Sequence, residues 1–247
     1  MIPYFGIVSF SLGPVTIYTW GLLVALGYLI GTYVAYRRAK SRGLDADKIL
    51  DLSVWIFAAS FIGARLMHVL FYDDGTFAAA PLKMFDPRIA GFSMVGGLLG
   101  AAVIALWYLR RHKLNWIAYA DTMIWGLPWG CGVGRLGCFL IHDHPGTLTH
   151  FFLGVKYPNG EVRHDHGLYL SLIGLATGLW FLWLNRKQRQ PGFWLGCYMA
   201  IEGLSRFGLD FYRIADKTYF YLTPTQWLAI PMFVAGLYFV TAKKEKV

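Results

Sequence analysis

The sequence predicts an all-α, polytopic membrane protein with about seven transmembrane helices and a small loop region on the outer face. Of its 247 residues, 56% are hydrophobic and only 15% charged, whereas soluble domains carry about 25% charged residues. The apolar residues also fall in blocks of about 20, the helix length that crosses a hydrocarbon core of about 30 Å. Finally, the cations gather in alternate connections between these blocks, as membrane topology requires.

The first block spans about residues 16–36 and is preceded by no charged residue. A cleavable signal peptide needs a basic n-region, so this span is expected to be retained. The second covers 49–71. The third, 89–109, carries Gly96, Gly97 and Gly100, and the fourth, 114–136, carries several glycines with Pro128, so both helices can approach neighbours closely or bend. The fifth and sixth cover 167–185 and 193–211, and the seventh 222–241. Their connections leave little chain for a separate soluble unit, so residues 1–247 form a single integral membrane domain.

Orientation follows from the basic loops. Arg37, Arg38, Lys40, Arg42 and Lys48 follow span 1, Arg110, Arg111 and Lys113 follow span 3, and Arg186, Lys187 and Arg189 follow span 5. Lys243, Lys244 and Lys246 end the chain. The opposite loops hold Lys83, Arg88, Lys156, Arg163 and Lys217. The N-terminus is therefore expected outside and the C-terminus in the cytoplasm. The formal charge of +9 is thereby explained without a nucleic-acid partner.

Four arginines remain within or beside spans: Arg65, Arg135, Arg206 and Arg213. With this topology all four fall toward the outer face. An arginine at the centre of a helix in hydrocarbon costs roughly 2.5–3.5 kcal/mol even on lenient scales, so several at one depth point to an anionic partner. An outer-leaflet phosphate suits the bidentate guanidinium fork. Glu202, Arg206, Asp210 and Arg213 are spaced four, four and three, which places them on one helix face. Between spans 4 and 5 lie His142-Asp143-His144 and His164-Asp165-His166. Such histidines can supply a base near neutral pH, but two HxH runs do not specify a metal, so neither metal nor cofactor is assigned. Cys131, Cys138 and Cys197 lie in apolar stretches and give no disulfide framework.

Taken together, these positions resemble the bacterial prolipoprotein diacylglyceryl transferases, whose signature is Gly-Arg-x-Gly-Asn-Phe followed by an acidic residue and a glycine. Here it reads Gly134-Arg135-Leu136-Gly137-Cys138-Phe139, then Asp143 and Gly146. The likeness extends to Gly63-Ala64-Arg65 with Phe71-Tyr72, to Ser93 with Gly96-Gly97, and to Arg163-His164 with Tyr169. It continues through Arg206-Phe207, Asp210, Arg213 and Asp216 to Gln226-Trp227.

The resemblance implies an enzyme of the bacterial cytoplasmic (inner) membrane that moves the diacylglyceryl group of phosphatidylglycerol to the lipobox cysteine thiol of a secreted precursor, releasing glycerol phosphate. It implies that Arg135 and Arg206 hold the phosphate, oriented by Asp143 and Asp210. Arg65, Ser93, Gly96, Gly97, Gly137, Cys138, Gly146 and Arg213 line the lipid site. Three positions depart from the pattern: Val95 replaces the histidine before the glycine pair, Cys138 the signature asparagine, and Trp20 a tyrosine of span 1. His142 or His164, with His144 beside them, are then the candidates for proton removal. The alternatives are a related phospholipid-dependent transferase with another acceptor and a non-catalytic lipid-binding or transport protein.

Overall fold

A computed structural model of the chain describes residues 1–71, 91–187, 189–214 and 218–242. Lys83, Arg88, Tyr72, Asp216, Lys217 and the lysines at 243, 244 and 246 lie outside the described residues, as does the start of the predicted third span.

Seven long helices appear among these residues: α1 (Thr19–Ser41), α2 (Asp47–Phe71), α3 (Met94–Arg111), α4 (Trp116–Ile141), α5 (His166–Leu184), α6 (Phe193–Leu209) and α7 (Pro224–Thr241). Helices α1 to α5 are long and apolar enough to cross a membrane. Helix α6 has 17 residues, and the Pro224-Thr225-Gln226 start of α7 shortens its apolar stretch. Large apolar side chains point outward along the bundle, among them Leu29, Val54, Val103, Leu179 and Val234, each 60% or more exposed. In water that surface would be far larger than a monomer tolerates; against lipid it is at home.

The helices pack through small residues. At the α1–α4 contact a Cβ added to Gly126 would stand 2.0 Å from the Gly31 carbonyl oxygen, and at α2–α3 one on Gly96 would stand 2.3 Å from that of Gly63. Without a hydrophobic drive between helices in lipid, such backbone approach supplies the dispersion contact that holds them. The remaining close pairs are α4–α5, through Gly132 and Gly174, and α6–α7, through Gly203, Gly196 and Gly236.

The all-α expectation needs one correction, because the fold is predominantly helical but includes two small sheets. Strands β2 (Ser9–Leu12) and β3 (Val15–Tyr18) form a hairpin before α1. Strands β1 (Ile2–Pro3), β4 (Pro145–Leu148), β5 (Val155–Lys156) and β6 (Val162–Asp165) form a sheet of order β1-β5-β6-β4, parallel only at β1–β5. Its strands β4, β5 and β6 come from the connection between predicted spans 4 and 5, and β1 joins them from the N-terminal segment. Strands of two to four residues carry too little alternation to register as period two.

At the basic end of the bundle, Asp121 of α4 accepts from the backbone N–H groups of Gly192 and Leu195 at 2.8 and 2.9 Å, neutralising the amino end of α6. The Arg38 guanidinium lies 3.9 Å from the Trp125 ring centre. This end is therefore fastened, and the opposite end, under the four-stranded sheet, holds the cavity.

Candidate active site

The carboxyl ends of α2, α4 and α6 and the amino ends of α3, α5 and α7 meet at that end and enclose a cavity of about 260 Å³. Ser93, Met94 and Val95 border it at the start of α3, Arg135 from α4, His166 and Leu170 from α5, Arg206 from α6, and Pro224 and Thr225 from α7. His68, His144, Asp210 and Arg213 complete the polar lining.

Each lining arginine has a different setting. Arg206 Nε donates to Glu202 Oε1 at 2.7 Å, one turn earlier on α6, and its Nη1 approaches Met94 Sδ at 3.4 Å. Both partners of that pair have side chains less than a fifth exposed, so the carboxylate fixes the guanidinium plane toward the cavity. Arg213 pairs with Asp210 at 3.4 Å. The other Asp210 oxygen accepts from the Thr223 hydroxyl, which in turn accepts from Gln226 N–H at 3.1 Å to cap α7. Arg135 touches Cys138 Sγ at 3.8 Å, and no carboxylate pairs with it among the described residues. The expected orienting pairs are thus corrected: Glu202 serves Arg206, Asp210 serves Arg213, and Asp143 serves His144. The i,i+4 spacing of Glu202 and Arg206 already carried this signal.

The balance of charge is informative. Arg206 with Glu202, Arg213 with Asp210, and His144 with Asp143 form three cation–carboxylate pairs. The charge of Arg135 is left over, which complements a singly charged phosphodiester. The Asp143 bond, 2.5 Å long, and the neighbouring Cys138 raise His144 to about 9.

The other predicted residues are placed as follows. His142 is buried in the left-handed conformation, φ +50°, at the end of α4. Its Nδ1 meets Asp165 Oδ2 at 2.8 Å, while Asp165 Oδ1 accepts from Leu168 N–H at 2.9 Å and caps α5. Tyr4, Phe5, Phe139 and Tyr157 pack around the ring, so His142 fastens α4 to α5 and lies outside the cavity lining. His164 bonds the Tyr169 hydroxyl at 2.8 Å, and burial lowers its pKa, as burial raises that of Asp165. Arg65 is buried and not among the lining residues, donating to the Gly91 carbonyl at 3.0 Å and lying 5.4 Å from the Phe92 ring centre.

Ser93 both lines the cavity and caps α3 through Gly96 N–H. Gly96, Gly97 and Gly137 sit at helix contacts instead of the cavity wall: Gly96 and Gly97 face α2, and Gly137 faces Trp20 and Leu23 of α1. Gly146 bridges to Arg213 through backbone and fits between Tyr212, His164 and His166. His166, the last member of the second HxH run, reaches the cavity, and His68 is a cavity residue that the sequence did not single out. Both lie at helix ends that converge only in three dimensions.

Comparison with known proteins gives this geometry a context. Residues 7–242 match the family described as prolipoprotein diacylglyceryl transferase. The chain is 31% identical to the phosphatidylglycerol–prolipoprotein diacylglyceryl transferase of Chromohalobacter salexigens, covering 93% of this chain and 89% of the relative. Its counterpart in Vibrio vulnificus is 32% identical with 93% and 88% covered, and that of Aeromonas salmonicida 33% identical with 97% and 90% covered. With the match spanning nearly every element that builds the cavity, the chain belongs to the prolipoprotein diacylglyceryl transferase family.

Proposed function

We propose that this protein transfers the diacylglyceryl group of phosphatidylglycerol to the lipobox cysteine thiol of a prolipoprotein, forming a thioether and releasing glycerol phosphate. The observation that carries the reading is the convergence of Arg135, Arg206 and Arg213 on one cavity in which carboxylates pair with Arg206 and Arg213 and leave the charge of Arg135 for a ligand. Arg135 and Arg206 grip the phosphate, and their charge stabilises the second negative charge that develops as it leaves. Arg213, Asp210 and Thr223 hold the α6–α7 turn that forms one wall, and Ser93 holds the opposite wall. His142 and His164 act as structural fasteners.

The same reading sets the protein in the bacterial inner membrane with seven spans, α6 and α7 included. The basic connections lie at the end away from the cavity, which therefore opens toward the outer face, with the N-terminus outside and the C-terminus in the cytoplasm. The lipid donor and the secreted acceptor both reside on that side. Expression in a bacterium depleted of its own transferase tests the function: growth and lipidated lipoproteins are expected, and Arg135→Lys is expected to support neither. Failure of the well-inserted wild-type chain to lipidate any precursor contradicts it.

A further inference from the structure

Resting on thiol transfer as proposed above, we infer that Cys138, Asp143 and His144 form a zinc site whose fourth position binds the acceptor thiol as a thiolate. One ligand atom from each of these residues lies within 4.8 Å of the others. The local fold explains the grouping. Cys138 sits in the last turn of α4, and the left-handed His142 reverses the chain so that Asp143 and His144 return beside it.

The donor set is chemically apt. A thiolate, an imidazole and a carboxylate are zinc ligands, and catalytic zinc sites use three protein ligands with the fourth position open. Ligand atoms around tetrahedral zinc stand about 3.3–3.6 Å apart. Side-chain rotation of the partly exposed Asp143 and His144, 31% and 39% accessible, opens their 2.5 Å hydrogen bond to that spacing while buried Cys138 stays fixed. His144 also lines the phosphate cavity, so a thiol held there faces the lipid. In the same wall, His166 is 5% exposed and its Nδ1 has no hydrogen-bond partner among the described residues.

Two substitutions that look like losses thereby acquire a use. Val95 puts an apolar side chain in the cavity where the resembled family has a histidine, and Cys138 puts a sulfur where it has an amide. A zinc-bound thiol is deprotonated outright, so no histidine base is needed. The acceptor S–H proton passes to solvent as the S–Zn bond forms. The sulfur then attacks the glyceryl carbon, its C–O bond to phosphate breaks, and glycerol phosphate departs with the electron pair. No oxidant or reductant enters. The two HxH runs alone specify no metal, whereas the cluster takes one histidine, its neighbouring carboxylate and a cysteine from the helix.

Elemental analysis of the full chain, purified in detergent from zinc-supplemented cells, is expected to find about one zinc per chain. Cobalt exchange should give a thiolate-to-cobalt charge-transfer band. Cys138→Ser and Cys138→Asn should abolish the band, Cys138→Asn supplying the family's own residue in case the serine variant misfolds. His144→Ala and Asp143→Asn should weaken zinc binding by more than the roughly 10–100-fold typical of losing a merely supporting group. A folded wild-type chain with far less than one zinc and no cobalt band overturns the site, as does full zinc in both Cys138 variants. Transfer by a metal-free chain overturns this inference and leaves the transferase reading intact. One zinc bound through Cys138 without any transfer leaves the site standing and overturns that reading.

Discussion

Replacing Arg135 by lysine separates phosphate chemistry from structural pairing, because Arg135 faces the cavity with no carboxylate partner among the described residues. Lysine keeps the charge but loses the planar fork. Losing one donor aimed at developing charge costs on the order of 100-fold in turnover, or about 2.7 kcal/mol. The stability cost is expected to be near zero, since the contact that disappears is a weak one to Cys138 sulfur. Arg206 behaves differently. Its guanidinium holds Glu202 at 2.7 Å in a largely buried pair, so Arg206→Met strands a carboxylate and destabilises the fold by roughly 3–5 kcal/mol as well as removing activity. The assay is transfer from labelled phosphatidylglycerol beside thermal unfolding in the same detergent. Arg135→Lys should unfold like wild type and transfer about 100-fold more slowly. Near-normal transfer by well-folded Arg135→Lys refutes the reasoning, and so does a large drop in its unfolding midpoint.

Three other substitutions and a pair of terminal tags test the frame. Gly126→Ala places a methyl 2.0 Å from the Gly31 carbonyl oxygen, so α1 and α4 must part and stability should fall by about 1–3 kcal/mol. Gly208→Ala, with nothing within 4 Å of the new carbon, should be neutral or stabilise by up to about 1 kcal/mol; equal losses in the two variants would contradict the packing account. His142→Ala leaves the buried Asp165 carboxyl with Leu168 N–H but without the imidazole and should cost about 1–3 kcal/mol, while the fraction that remains folded keeps its transfer rate. Abolished turnover at full stability would make His142 the base after all. Tags at residues 1 and 247 should be reached from opposite membrane faces, and labelling of both from one side overturns the seven-span proposal.

The helices were legible because apolar blocks of span length leave little ambiguity. Predicted span 5 at 167–185 meets α5 at His166–Leu184, and span 2 at 49–71 meets α2 at Asp47–Phe71. The small sheets were not legible, since Val155–Lys156 and Ile2–Pro3 pair across more than 150 residues and carry no local signal. Arg135 and Arg206 stood out by the cost of placing them in hydrocarbon. Their partners were misassigned because motif order suggested Asp143 and Asp210, while helical geometry gives Arg206 to Glu202 and lets His144 capture Asp143. His142 and His164 looked free as loop histidines, yet a buried carboxylate and a tyrosine hydroxyl hold them. Chemistry-bearing residues could be picked out from the chain, but which of them share a wall depends on where the helix ends converge.

Diacylglyceryl transfer itself is measured with the purified protein, phosphatidylglycerol labelled separately in its acyl chains and its headgroup, and a lipobox peptide. Acyl label is expected on the peptide cysteine through a thioether, with headgroup label released as glycerol phosphate in equal amount. Phosphatidylglycerol that is bound but never consumed, or headgroup released with no lipid on the peptide thiol, would contradict that transfer.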